Sequence, residues 1–382
     1  MIKFINILFI SAIVFLLAVP ALPQTFRLEG QLSGWTIVNP DQSLETQAGF
    51  RYIPAVSLKK AISENYSIDA EISLNMFGNG LIHSSDDIET NSNLKPYRMW
   101  LRFSSNQFEL RAGLQKINFG SASILRPLMW FDRIDPRDPL QLTTGVYGLL
   151  GRYYFLNNAN IWLWGLYGND ETKGWEVIPS DEKQIEFGGR LQAPLFTGEI
   201  AVCYHHRQAD LKKGLLGKFP LAEKTTPENR FGLDGKWDIG IGIWFEGVLI
   251  HQDVDSSQLR YQRLTNFGLD YTFGLGNGLN VMGEYFTLAS TEKVFSAGDA
   301  ISFSAVSLNY PLSLLDNLTT MIYYDWENYS WYRFINWQRT YDRWSFYLMG
   351  FWNPDQFQIY QNQAETNFFT GKGFQLMVVL NH

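Results

Sequence analysis

The chain has 382 residues, and its 31 Lys and Arg against 38 Asp and Glu give a formal net charge of −7. Nucleic-acid binders usually carry a basic patch and a high isoelectric point, so this acidic balance argues against a nucleic-acid partner. The single cysteine, Cys203, excludes an intramolecular disulfide and a thiolate metal cluster.

Residues 1–24 have the pattern of a secretory signal peptide. Lys3 is followed by an apolar run from Phe4 to Val19, and small residues stand at Ala18 and Ala21. A membrane-spanning helix would need about 20 apolar residues, whereas this run is shorter and prolines follow it. We therefore expect cleavage near residues 21–24, which leaves 25–382 as one domain with a formal charge of −8, because Lys3 is lost.

From Thr25 to the C-terminus, segments of about ten residues alternate with breaks, as the strands of a membrane barrel do. Within Tyr97–Phe103 and Arg230–Trp237, for example, every second side chain is apolar, which is the period of a β-strand. We predict eighteen strands, with sixteen as the second choice. They lie near 25–38, 45–58, 64–77, 96–104, 107–118, 146–156, 160–169, 184–195, 199–210, 229–239, 241–253, 260–274, 279–290, 299–312, 318–327, 332–341, 343–353 and 370–381.

The breaks between the predicted strands alternate between short and long. Short turns are predicted at 104–107, 157–160, 196–199, 238–240, 276–278 and 342, and long polar connections at 78–95, 119–145, 170–183, 211–228, 291–298 and 354–369. This alternation is typical of a transmembrane, antiparallel, up-and-down β-barrel of the all-β class, with short periplasmic turns and long external loops. The rival fold, a soluble β-sandwich or propeller, would not need the 16% aromatic residues that suit two membrane interfaces.

Strand parity predicts which charged side chains face the lumen, because successive side chains point to opposite sides of a sheet. In 96–104, Tyr97 and Met99 are expected to face lipid and Arg98 and Arg102 the lumen. The predicted pore-lining basic residues are Arg98, Arg102, Arg111, Arg152 and Arg190, and the acidic ones are Asp234, Asp270 and Glu284. We expect a basic wall opposite an acidic wall, which would order polar solutes in a narrow pore. For any single charge the alternative is a salt bridge that only stiffens the wall, and a β-bulge would reverse the faces beyond it.

The long connection 120–145 combines charge with an unusual apolar patch, Leu128–Phe131. A loop in water has no reason to expose that patch, whereas a loop folded into the barrel can pack it on the inner wall. Three prolines would lower the entropy lost on fixing the loop. We predict a constriction loop, and the alternative is an external loop that packs on its neighbours. Its charged residues are Arg126, Asp132, Arg133, Asp135, Arg137 and Asp138.

The runs at residues 111–120 (RAGLQKINFG) and 132–139 (DRIDPRDP) resemble outer-membrane porin-like barrels of the Bacteroidetes type. Residues 51–54 and 161–165 are similar to stretches of the same group, so the resemblance covers roughly 45–170. It implies a channel in a Gram-negative outer membrane and no particular solute. Many such barrels end in an aromatic residue that the assembly machinery reads. This chain ends in His382, so recognition could depend on Phe374 instead.

The sequence contains no arrangement that argues for an enzyme or a cofactor. His205 and His206 are neighbours in a predicted strand and point to opposite faces, so they cannot share a metal ion, and no phosphate-binding glycine loop is present. We expect no catalytic residues, no metal and no cofactor.

The expected function is passage of small hydrophilic solutes across the outer membrane. The alternative is a surface protein for carbohydrate or adhesion ligands, suggested by loop aromatics at Trp175, Tyr329, Trp331 and Tyr332; a barrel-embedded enzyme is the least favoured. Expected partners are the lipid bilayer, the solutes and the assembly machinery, with a homotrimer as one assembly.

Overall fold

The computed structural model describes residues 24–40, 45–84, 87–214, 225–253, 260–294, 296, 298–355 and 369–382. The signal peptide predicted for residues 1–24, apart from Gln24, lies outside them, as do most of the external connections 211–228 and 354–369.

Eighteen strands form the described structure, and their number agrees with the prediction. Strands β1 to β9 are Gln24–Asn39, Glu45–Ala61, Ser67–Ser84, Asp87–Ser104, Phe108–Gln115, Val146–Tyr154, Asn160–Leu166, Glu186–Leu195 and Gly198–Asp210. Strands β10 to β18 are Thr225–Asp238, Gly242–Gln252, Tyr261–Phe273, Leu279–Thr291, Asp299–Pro311, Asp316–Asp325, Ser330–Thr340, Trp344–Trp352 and Lys372–Asn381.

The strands close into a single antiparallel barrel. Each strand pairs with its neighbours in sequence, and β1 also pairs with β18 in the register Gln31↔Asn381 to Val38↔Phe374. Closure satisfies the backbone hydrogen bonds at both edges of the sheet, which a bilayer requires because its core offers no water to do so.

Alternation of side chains separates the lipid face from the lumen. On β11, for instance, Trp244, Glu246 and Val248 are buried inside while the intervening residues are less buried. Large apolar side chains stand exposed on the outer surface, among them Phe50, Leu110, Leu163, Phe187, Leu191, Phe231, Phe267 and Leu376. An apolar belt of this kind is the surface that lipid chains cover.

Two parts of the β3–β4 hairpin differ from the prediction. Residues 78–84 and 87–95, which belong to the stretch 78–95 predicted as a long loop, continue β3 and β4 as paired strands. Gly and Asn residues interrupt the alternation of apolar and polar side chains in this part, so the sequence pattern did not indicate a strand. A register shift near Ser73 also leaves Tyr97 as an extra residue between Pro96 and Arg98. Tyr97 therefore lines an interior cavity and does not face lipid.

One short helix, α1 (Leu211–Gly214), follows β9. In the described part of the chain, no helix is long and apolar enough to cross a membrane.

The largest cluster of buried apolar residues lies inside the barrel. It joins Leu125, Leu128 and Phe131 of the 120–145 connection to inward residues of the strands, such as Trp164 and Phe286. Part of the lumen is thus occupied by chain.

Candidate functional site

The 120–145 connection folds into the barrel and buries its apolar patch against the inner wall. Leu128, Met129, Trp130 and Phe131 are all buried. The ring centroid of Phe131 lies 5.2 Å from that of Trp164 on β7. This is the packing expected of a loop that folds inward.

Wall carboxylates hold the backbone at the start of this loop. The Glu284 carboxylate on β13 accepts hydrogen bonds from the amides of Ser123 at 2.7 Å, Ile124 at 3.2 Å and Leu125 at 2.7 Å. Glu246 on β11 accepts bonds from the Ala122 amide at 2.7 Å and the Leu128 amide at 3.0 Å. These amides have no strand or helix partner, so the carboxylates satisfy donors that would otherwise be buried alone.

Asp234 and Glu284, predicted to line the pore, are instead covered by this loop. Asp234 on β10 forms a bidentate ion pair with Arg190 on β8, at 2.5 and 2.9 Å, and accepts a bond from the Ser121 hydroxyl at 3.3 Å. The prediction of opposite walls is wrong for Arg190 and Asp234, because only β9 separates their strands. Of the three predicted acidic residues, only Asp270 on β12 is not buried.

A second connection, residues 167–185, also enters the lumen, which the sequence analysis missed. Trp175 stacks on Phe286 with ring centroids 4.3 Å apart and donates a hydrogen bond to the Arg126 carbonyl at 3.1 Å. Trp175 is therefore a packing residue, in contrast to its prediction as an exposed loop aromatic. The signal that could have revealed the insertion is a tryptophan in an otherwise polar connection.

A buried ionic network fixes this second loop. Its Glu176 carboxylate lies 2.6 Å from Arg230 and 3.4 Å from Arg207, and Glu228 pairs with both arginines. Arg207 and Arg230 are among the largest fully buried side chains of the protein. Such a network compensates its desolvation only while every partner is present.

The predicted basic residues on β4 to β6 share carboxylates. Glu109 lies 3.0 Å from Arg111 and 3.6 Å from both Arg102 and Arg152, and Arg102 also pairs with Asp69 at 3.0 Å. All three arginines keep part of their side chains exposed to the lumen. The wall is therefore basic by a small excess only, since two carboxylates offset three arginines.

Arg98, the remaining predicted basic residue, joins the wall to the end of the inserted loop. Its guanidinium donates to the carbonyls of Thr143 and Thr144 at 3.4 Å and to the Thr143 hydroxyl. Arg98 is buried and thereby holds the loop at its exit.

Several charged residues of the 120–145 loop act within it. Arg126 donates to Asn118 and to the Phe119 carbonyl, and Asp132 accepts the Thr144 amide at 2.7 Å. Their charges are thus used to fix the shape of the loop.

The other loop charges lie near its tip. Arg137 pairs with Asp135 at 2.5 Å, and Arg133 donates to the Thr172 carbonyl at 2.7 Å. Asp138 accepts the Leu140 amide at 2.9 Å. Burial raises the pKa of the Asp138 carboxyl above its usual range, and the nearby Asp135 charge adds to that shift.

Open space remains between the loop tip and the strands that close the barrel. An outer cavity of about 580 Å³ lies next to β2, β3, β4 and the two inserted loops, and a side cavity of about 130 Å³ lies next to β1, β2, β3 and β18. Both are lined by Arg51, Phe77, Asp135 and Asp138, which we call the neck. Arg51 is not among the predicted site residues. It nevertheless faces the lumen, because the preceding residue on β2, Phe50, is exposed on the outer surface.

A third cavity, of about 530 Å³, lies at the periplasmic end and touches β1, β2 and β18. Its residues Gln31 on β1 and Ile53 on β2 are each two positions closer to the periplasm than Ser33 and Arg51 of the side cavity, on the same inward-facing side of their strands. We call the inner face of β18, β1, β2 and β3 the seam wall.

Between the side cavity and the periplasmic cavity, the seam wall carries apolar side chains. Met377 and Val379 on β18 pack with Tyr347 on β17, and Leu140 of the inserted loop packs on this cluster. Leu140 thus stands at an apolar contact between cavities that are polar on either side.

Aromatic residues predicted as exposed in loops divide into two kinds. Tyr329 and Trp331 are exposed at the β15–β16 turn, whereas Tyr332, like Trp175, is covered, and Tyr332 lies in the lumen. Across the residues that the structure describes, no three His, Cys, Asp or Glu side chains group as ligands for one metal ion.

No protein-family model matches the chain. A search of curated proteins likewise finds no match.

Solved structures do share the fold. Pseudomonas aeruginosa OccK5 (OpdH) is 11% identical with a TM-score of 0.54, over 94% of this chain and 97% of that one. Acinetobacter baumannii OccAB1 is 10% identical with a TM-score of 0.53, over 94% and 95%. An anion-selective porin from Comamonas acidovorans is 11% identical with a TM-score of 0.47, over 94% and 100%. The chain is a closed 18-stranded barrel of the outer-membrane porin type, and the protein lies in an outer membrane.

Proposed function

We propose that this barrel is a channel that passes small hydrophilic solutes by diffusion. The observation that carries the proposal is the position of the 120–145 loop, which wall carboxylates fix inside the barrel while cavities remain along the seam wall. The loop thus fills one side of the lumen and leaves space along the other side, as a channel with a narrowed passage requires.

The route we infer runs from the outer cavity through the neck and the side cavity to the periplasmic cavity. Polar side chains line each cavity, including Asn75, Gln47 and Gln31. The partly exposed Arg102, Arg111 and Arg152 are proposed as pore-lining charges further along the wall, with Asp270 as their acidic counterpart. The apolar contact at Leu140 is the narrowest point of this route.

The test is electrical conductance after reconstitution of the purified barrel in planar bilayers. Stepwise conductance increments are expected in potassium chloride. Absence of conductance at every voltage would rule the channel out.

The role of the inserted loop is tested by charge removal at Arg133. Arg133→Gln should shift ion selectivity toward cations, because the outer cavity then loses a positive charge. The matched control is Arg126→Gln, since Arg126 bonds inside its own loop and does not line these cavities. Equal shifts in both variants would argue against a specific role for Arg133.

A second candidate function is carbohydrate binding at the outer surface. It is supported by the aromatic group at the β15–β16 turn, where the ring of Tyr324 lies 4.8 Å from Trp326 and 4.6 Å from Trp331. The same rings suit a membrane interface, where one end is apolar and the other wet. A glycan-array signal from a barrel without conductance would favour this function over the channel.

We further propose that the chain belongs to the Bacteroidetes-type porin-like group and that it assembles as a homotrimer. The first proposal rests on the runs at 111–120 and 132–139, and alignment of homologues around those runs tests it. The mass of the detergent-solubilised protein by light scattering tests the second.

A further inference from the structure

The neck holds one cation and one anion without an ion-pair partner. Arg51, Asp135 and Asp138 are its charged members, and Asp135 is paired with Arg137 at 2.5 Å. Within the described ranges, neither Arg51 nor Asp138 forms a salt bridge, although the Arg51 charge acts on the Asp138 carboxylate and opposes the rise of its pKa. Both nevertheless line the same two cavities, so each offers its charge to a solute in the neck.

Arg51 is held in place by aromatic rings. Its guanidinium carbon lies 5.0 Å from the ring centroid of Phe77 and 5.6 Å from that of Trp35, and the two rings stack 5.6 Å apart. Cation–π contacts of this kind attract the guanidinium to the ring faces. These ring contacts fix the cation where it lines both cavities.

Asp138 is fixed from the opposite direction, by the inserted loop. The Leu140 amide donates to its Oδ1 at 2.9 Å, and Pro139 restricts the backbone between them. The Leu142 backbone amide also hydrogen-bonds to this carboxylate. The carboxylate is thus held in place where it lines both cavities.

The side cavity adds neutral hydrogen-bonding groups beside these charges. Gln47 and Gln375 line it, and both side chains are more than nine-tenths buried. The Gln375 Oε1 atom has no hydrogen-bond partner in the structure as described. The two amide side chains make the side cavity polar next to the charged neck.

We propose that the preferred solutes are small zwitterions with amide or ammonium donors, namely free amino acids and short peptides. The carboxylate of the solute contacts Arg51, and its ammonium contacts Asp138. This inference rests on the proposed channel function and specifies its substrate class.

Two peptide-like probes of similar size test the proposal in liposome-swelling assays of the reconstituted full barrel. Alanyl-alanine carries both terminal charges, and N-acetyl-alanine N-methylamide carries neither. We expect alanyl-alanine to enter about three to ten times faster, as two partly screened ionic contacts give. The variants Arg51→Gln and Asp138→Asn should each remove most of that preference.

Arg27→Gln serves as the control, since Arg27 lies on β1 with 67% of its side chain exposed and does not line the neck. It should retain the wild-type preference. Equal entry of the two probes into wild-type liposomes would overturn the proposal, as would a preference that survives both neck variants.

The same assay separates this proposal from the channel itself. If glycerol and both probes fail to enter, the channel function fails. If all three enter and the two peptides do so at equal rates, the channel stands and only the zwitterion preference fails. Circular dichroism and the heat-modifiable gel shift show whether each variant has folded.

Discussion

The two sides of the barrel interior use inward polar residues in opposite ways. On β8 to β13, which we call the covered wall, Glu246 and Glu284 bind loop backbone and Glu228 binds buried arginines. On the seam wall, Arg51 has no ion pair among the described residues and Gln375 has an unsatisfied oxygen. The difference shows that an inward side chain can be either a structural anchor or part of a solute path, and only its partners distinguish the two roles.

Energetics explain the division. A carboxylate buried without compensation is strongly disfavoured, so the covered wall holds its charges by several charge-assisted hydrogen bonds each. Side chains of the seam wall lie beside cavities, where water or solute can satisfy them. The comparison therefore predicts large losses of stability on one wall and changes of transport on the other.

The largest effect is expected for Arg230→Met on the covered wall. It leaves Glu176 and Glu228 buried with one cation fewer, and breaking such a network costs about 3–5 kcal/mol. The temperature at which the folded band disappears on gels should fall well below that of wild type. Arg27→Met is the control, and an equal temperature for both variants would contradict the anchoring role.

Next in size is Glu284→Gln. An amide NH₂ would then face one of the backbone donors of Ser123 to Leu125, which weakens loop docking by about 2–3 kcal/mol. Single-channel recordings should show larger and noisier conductance. Asp270→Asn lies on the same wall, and Asp270 makes no hydrogen bond to the loop among the described residues. This variant should therefore keep the wild-type noise level, whatever its effect on ion selectivity, and added noise in both variants would contradict the role of Glu284.

Leu140→Ala should open the apolar contact between the side and periplasmic cavities. The loss of packing on Tyr347, Met377 and Val379 amounts to about 1–2 kcal/mol at this partly buried position. Conductance should rise while ion selectivity stays constant, because no charge changes. Unchanged conductance would place the narrowest point elsewhere.

The smallest effect is a shift of selectivity with pH. Since burial raises the pKa of Asp138, this carboxyl takes up a proton at a higher pH than ordinary aspartates as the solution is acidified. The neck then loses the negative charge of Asp138 while Arg51 stays charged, so reversal potentials should move toward anion selectivity. Asp138→Asn should show the acid-side selectivity already at neutral pH and lack this part of the titration.

Local patterns accounted for the barrel but not for its contents. The strand number and the short turns followed from a period of two that each segment shows by itself. The bulge at Tyr97 could not be predicted, because an extra residue leaves the apolar alternation on either side intact.

The site depends on contacts between distant residues. Parity placed Glu284 correctly inside, but its partners, Ser123 to Leu125, lie about 160 residues away in sequence. The apolar patch at Leu128–Phe131 did signal an inward loop. Nothing local distinguished Arg51 from the other inward arginines, since its isolation from carboxylates exists only in three dimensions.

The seam wall has a consequence for biogenesis. Its strands include the first and the last of the chain, β1 and β18, whereas both inserted loops bond to strands between β8 and β13. The anchored parts of both loops can therefore be in place while the two ends of the chain are still apart, whereas Leu140 meets its partners Met377 and Val379 only when β18 has joined. The solute path comes into existence only when β18 meets β1, so an unfinished barrel has its anchors but has no aqueous route.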